Sequence, residues 1–187
     1  MMRRKIVEIA ARWYVFFFLN IYGIGKIVGG QFYCRGSLPE DVASTTLGEA
    51  TGFDLAWTFM GFSFAYILFI GLAEIVGAWL LLWERTKLLG AAILLPIMVN
   101  ILVFDVVFLN EYGALASATI YTLLLCAILY LNKERVLLAL QALVPDAGSE
   151  WAPKGQRVKT AIAVLVAIGL LFAMDQMLVN LLGYGEG

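Results

Sequence analysis

The residues best placed to do chemistry are the few polar ones set inside long apolar runs. They are Lys26, Glu74, Asn100, Asp105 and Asp175, with Asn20 and Asn180 as lesser cases. A charged side chain near a bilayer centre costs about 2.5–3.5 kcal/mol on insertion scales, so each demands a partner, a proton or a use. Glu74 is the deepest, in the body of Gly71-Leu-Ala-Glu-Ile-Val-Gly77 with small residues on both sides. At about 1.5 Å of helical rise per residue it lies about 13 Å from Trp83, near the middle of a membrane crossing. On the same count Lys26 lies about 21 Å above Arg12 and Asp105 about 26 Å above Leu88, so a Lys26–Asp105 ion pair is geometrically open. Asp54, at the outer start of the second crossing, can share it. Asn100, about 18 Å along the third crossing, is the polar group nearest Glu74 in depth. Pro96, one turn earlier, frees a backbone carbonyl there. Glu74 is therefore either protonated and hydrogen-bonded, or paired with a basic residue reaching down to it. Carboxylates in that setting are binding-site candidates by default. An ion pair near the end of a bundle serves equally well as a register device.

The chain has no histidine, which removes histidine-ligated haem, histidine-containing zinc sites and Ser-His-Asp or Cys-His catalysis. The two cysteines, Cys34 and Cys126, are too few for a four-thiolate metal site. One falls in a loop and the other in a membrane helix, which disfavours a disulfide between them. Redox chemistry would then need an organic cofactor or a partner subunit to carry the electrons. Gly23-Ile-Gly-Lys-Ile-Val-Gly29 imitates a phosphate-binding glycine loop, but no strand precedes it and it sits in a membrane helix. Gly25-x-x-x-Gly29 and Ala73-x-x-x-Gly77 read instead as close-packing helix faces. Trp13-Tyr-Val-Phe-Phe-Phe18, Trp57 and Phe59 read as lipid-facing or belt residues. Turned inward, they would line an apolar pocket suited to a quinone or lipid tail.

The elements that must position these groups are membrane helices. The 187 residues are 62% hydrophobic and 14% charged, against about 45–50% and about 25% in a soluble domain. Five apolar windows match the roughly 20 residues that cross a hydrocarbon core: Ile6–Val28, Leu55–Trp83, Leu88–Leu109, Ala114–Leu131 and Ala161–Leu182. The N-terminal run outlasts a signal peptide's apolar region of about 7–15 residues and has no small-x-small cleavage site, so it reads as an uncleaved first span. Basic residues at the N-terminus and in alternate loops, including Arg85, Lys87, Lys133, Arg135 and Arg157, put the N-terminus in the cytoplasm and the C-terminus outside. The second window exceeds a bilayer's need, which implies tilt or a projecting end. Between the first two spans Ser37-Leu-Pro-Glu-Asp41 predicts a short helix capped by Ser37. Asn132–Pro145 predicts an interfacial amphipathic helix stopped by Pro145. The expected division is a four-helix bundle over 1–131 with its outer loop 29–54, a cytoplasmic helix and linker over 132–160, and a fifth span with an outer tail over 161–187.

An aromatic first span ending in Tyr22-Gly-Ile-Gly-Lys26, then Gly71-x-x-Glu74-x-x-Gly77-x-x-Leu80-Leu81, a basic turn, Gly90 and a Met98-containing third span resembles the DoxX-like membrane proteins. The likeness covers roughly residues 10 to 131. It implies an all-α four-helix bundle in a bacterial inner membrane, and it carries over Lys26 and Glu74 as family positions, with Tyr22 in the same motif. Some such proteins are subunits of thiosulfate:quinone oxidoreductases, and others assist redox or thiol-stress systems. The fifth span and the lack of a redox-active cysteine pair argue against direct thiosulfate oxidation. The first expectation is thus a redox-associated membrane subunit that binds a quinone or other lipid-like molecule in its bundle, with nothing covalently attached. The alternatives are a scaffold or accessory subunit of a larger complex and, ranked below it, a small-solute transporter. The partners expected are membrane lipid, protein subunits or a second copy of the chain, and no nucleic acid. Candidate ligand or ion-pair residues are Tyr22, Lys26, Asp54, Glu74, Asn100 and Asp105, with no metal.

Overall fold

A computed structural model of the chain describes residues 2–109, 112–144 and 154–182. Among these residues it is all-helical, with α1 Met2–Val28, α2 Glu40–Ser44, α3 Gly52–Gly61, α4 Phe64–Leu82, α5 Lys87–Phe108, α6 Tyr112–Leu131, α7 Lys133–Leu143 and α8 Lys154–Leu182. Five of them (α1, α4, α5, α6 and α8) are long and apolar enough to cross a membrane.

Residues 2–143 hold one unit, in which α1 packs on α4, α4 on α5, α5 on α6, and α6 back on α1. This closed ring of four buries Val15, Leu19, Ala78, Leu81, Leu94, Leu125 and Ile128 at its centre. The outward faces are apolar too, with Phe17, Phe69, Val103 and Leu123 more than half exposed. α1 ends where Gly29 takes a φ of +89° and the Gly30 amide bonds back to the Gly25 carbonyl at 3.2 Å, a turn glycine adopts without steric cost. The other unit, Val144–Gly187, is described by α8, which carries Asp175.

The sequence predicts one long second span, and the fold divides it. α3 stops at Gly61, and α4 starts after Ser63, whose φ of −128° and ψ of 122° are extended. The backbone of Tyr33 lies where a Cβ on residue 61 would have to be, so the loop after α1 wedges against this point. α3 begins on a reciprocal cap. The Thr51 hydroxyl accepts from the Asp54 amide at 3.1 Å and donates to the Asp54 carboxylate at 2.6 Å, an N-cap whose hydroxyl is itself held by the acid three residues on. The expected Ser37 cap is also corrected. The short helix starts at Glu40 behind Pro39, while the Ser37 hydroxyl donates to the Cys34 carbonyl at 3.3 Å. The amphipathic helix forms as α7 and groups with the bundle. Its expected stop, Pro145, and the linker 146–153 lie outside the described residues.

Candidate functional site

Glycines set the geometry of the site. A Cβ on Gly71 would meet the Gly23 carbonyl oxygen at 2.9 Å, and one on Gly23 would meet the Gly71 carbonyl oxygen at the same distance. One Cβ on Gly90 would lie 2.7 Å from the Gly77 carbonyl oxygen. α4 is therefore in backbone contact with α1 on one side and α5 on the other, the small-residue packing that lets helices approach closely. Glu74 stands between the two crossings, one helical turn from Gly71 and one from Gly77.

At the α1–α4 crossing the helices run antiparallel. Lys26 and Glu74 each lie three residues beyond the contact, in opposite directions, which leaves about 9 Å between their levels. Helical side chains lean toward the N-terminus of their own helix, so on antiparallel helices these two lean toward each other. They close the gap, and the Lys26 ammonium donates to Glu74 Oε1. Both are buried, Lys26 at 6% exposure and Glu74 at 1%. Glu74 Oε2 is buried and has no hydrogen-bond partner among the described residues.

Two cavities, of about 130 and about 100 Å³, adjoin the pair, and Lys26, Glu74, Asp105, Gln31 and Trp57 line both. The larger adds Tyr22 and Tyr121, whose ring centroids are 6.1 Å apart, together with Met98. The smaller adds Asn100, Tyr66 and Phe104. Phe104 also lines a groove of about 700 Å³ enclosed by α2, α3 and α5, whose walls include Leu38, Val42, Leu55, Phe59 and Phe108.

The sequence candidates thus sort themselves. Lys26 and Glu74 meet. Asp105 is buried on the same cavities but is not the ion-pair partner of Lys26, which binds Glu74 instead. Its helix, α5, lies diagonally across the ring from α1 and parallel to it, so the side chains of Asp105 and Lys26 lean the same way instead of converging. Asn100 lines the smaller cavity without bonding Glu74. Tyr22, 38% exposed, forms part of the wall of the larger. Asp54 is set apart, capping α3 and lining the apolar groove. Trp57, read as a belt residue, is half-buried on both cavities and stacked on Phe53 at 4.3 Å. Gln31 and Tyr121 were not singled out from the sequence, because a loop glutamine and a lone helical tyrosine carry no spacing signal.

The chain is 36% identical over 132 residues to the uncharacterized protein YwoB of Bacillus subtilis (strain 168), a match that covers 71% of this chain and 80% of that one. It belongs to the YwoB family. No family model matches it. No solved structure matches it either.

This YwoB-family chain has a further charged cluster at the end of the bundle where α4 turns into α5. The Arg12 guanidinium donates to the Leu81 carbonyl at 2.5 Å, to the Leu82 carbonyl and to Glu84 at 2.9 Å. It thereby satisfies two of the carbonyls that a helix C-terminus leaves open. Lys87, also buried, donates to Glu8 at 2.5 Å and Glu84 at 2.7 Å. The hydrogen bond from Lys87, reinforced by Arg12, holds the Glu84 carboxyl below the ordinary carboxylate range. The sequence signals for this cluster were Glu8–Arg12 at i,i+4 and Glu84–Lys87 at i,i+3.

Proposed function

We propose that this chain is an integral protein of the bacterial inner membrane with a DoxX-like four-helix bundle and a fifth crossing, its N-terminus cytoplasmic and its C-terminus outside. In this reading it is a redox-associated subunit that binds the head group of a quinol, or of another lipid-like hydrogen-bond donor, at Lys26 and Glu74. The apolar outward faces and the five helices of membrane-crossing length support the setting. The observation that carries the site is Glu74 Oε2, a buried carboxylate oxygen with no donor among the described residues, in a residue that lines both cavities. Leaving such an acceptor unmet costs about 1–3 kcal/mol, and more for a charged group. A ligand hydroxyl that donates to it recovers that loss.

The chemistry of the walls fits such a guest. A cavity of about 150 Å³ accommodates one benzene ring, and the larger cavity here is about 130 Å³. Trp57 and Tyr121 supply apolar ring faces, while Lys26, Gln31 and Tyr22 supply donors for a second ligand oxygen. The apolar groove beyond Phe104 offers room for a tail. The protein's part is to present one acceptor and several donors around a ring and to keep water out.

The test is binding to the purified full chain in detergent. A short-tailed quinol should raise the unfolding temperature, and Glu74→Gln, which puts a donor where the acceptor stood, should weaken binding at least about tenfold. Tyr22→Phe should weaken it less. Protein extracted with no bound quinone, together with no quinol-dependent shift, would sink the reading and leave the pair as a structural register device.

A further inference from the structure

The basic end of the bundle holds a larger concavity, about 410 Å³, between the start of α1 and the α6–α7 junction. Its charges fall into two layers. The floor is Arg12 and Lys87, with side chains 8% and 4% exposed, matched against Glu8 and Glu84. Two cations meet two acids there, so the floor is neutral and already bonded.

The rim is different. Arg4, Lys5, Lys133 and Arg135 line the same concavity against one further acid, Glu134, a surplus of three positive charges. Arg135 comes within 3.9 Å of Glu84, but both side chains are 64% exposed, and such a contact contributes little in water. Immediately along α7 from Lys133 and Arg135 come Leu137 and Leu140, both more than half exposed. They sit one turn apart, on the apolar side of an amphipathic helix. A cationic cup therefore opens beside a greasy helical strip.

We propose that this cup binds the phosphate of an anionic phospholipid, with acyl chain packed along α7. Two guanidinium forks at the mouth suit the planar donor geometry that phosphate oxygens accept. Basic pockets between helices at the cytoplasmic interface are suited to such head groups. A free phosphate ion would use the charges and leave the leucines bare, so the apolar strip selects the lipid. The site requires a membrane-facing α7 but is independent of any ligand at Glu74.

The experiment uses the full chain in a non-ionic detergent, read by native mass spectrometry and thermal unfolding. Phosphatidylglycerol should be retained at one per protein and raise the unfolding temperature, while phosphatidylcholine does neither. Each basic residue near an anionic head group is worth about fivefold in affinity. The triple variant Arg4→Gln, Lys133→Gln, Arg135→Gln should therefore bind phosphatidylglycerol about a hundredfold more weakly, while Arg4→Lys with Arg135→Lys keeps most of the binding. These side chains are exposed, so the lipid-free unfolding temperature of each variant should match that of the parent protein. Undiminished binding by the triple variant, equal retention of phosphatidylcholine, or an equal shift from inorganic phosphate alone would overturn the proposal. Quinol binding measured in the same samples separates this site's failure from that of the site at Glu74.

Discussion

The two charged clusters of the bundle solve the same physical problem in different ways. At the basic end, Arg12 and Lys87 are matched by Glu8, Glu84 and two helix-end carbonyls. In the interior, Lys26 binds Glu74, with Asp105 on the same cavities, and one carboxylate oxygen of Glu74 has no donor among the described residues. The first cluster is a joint, in which removing one partner leaves others to compensate. The second has a vacancy in its hydrogen bonding, next to space that a ring could fill. The cations are comparably buried in the two places, but the acids are not, Glu74 being buried and the Glu84 side chain 64% exposed. What separates structure from candidate function here is whether the hydrogen-bonding capacity is used up.

Substitutions sharpen that contrast. Lys26→Met should have the largest effect, because it strands a buried carboxylate. Breaking such a pair costs about 3–5 kcal/mol, to be read from unfolding in detergent, and Glu74→Leu in the same chain should recover most of it. Arg12→Met should cost less, about 1–3 kcal/mol for the carbonyls it abandons, since Lys87 still holds both acids. If the two single variants cost the same, the distinction between joint and vacancy fails.

Next in size is Gly71→Ala, whose methyl would press on the Gly23 carbonyl and on Ile27. Overpacking of this kind costs about 1–3 kcal/mol, and it should weaken quinol binding along with stability. A loss of stability with binding intact would mean that the crossing does not set the site.

The smallest effect is that of pH. Glu84 is held below the usual carboxylate range by Lys87 and then Arg12. A lowered folded value means the stability it adds is present above its unfolded pKa of about 4.3 and fades as pH falls through the lower folded value. Glu84→Gln should flatten that acid limb of the unfolding profile, although solvent exposure keeps the effect modest.

Much of this was legible in the sequence because apolar length and isolated charge are local properties. The five long helices, the α7 amphipathic segment, and the placing of Lys26 and Glu74 inside apolar helices all follow from reading along the chain. The pairing did not follow, because depth was counted from backbone rise alone. That count puts Lys26 level with Asp105, whereas the lean of the side chains on antiparallel helices brings it to Glu74. The break after Gly61 was hidden for another reason. Both flanks are apolar, so composition is continuous across a point where the Tyr33 backbone interrupts the helix. Trp57 changed its reading because the separate α3 turns its ring toward the cavities.

The Gly23–Gly71 crossing has one more consequence. With no side chain on Gly23 or Gly71 to hold the two backbones apart where they touch, the gap from amine to acid is gauged by the width of the polypeptide itself, a dimension that does not fluctuate as rotamers do. Neighbouring core residues can exchange one hydrocarbon for another without altering that span, whereas a single methyl at the crossing lengthens it. The reach of the lysine is thus calibrated by what has been left out of the chain.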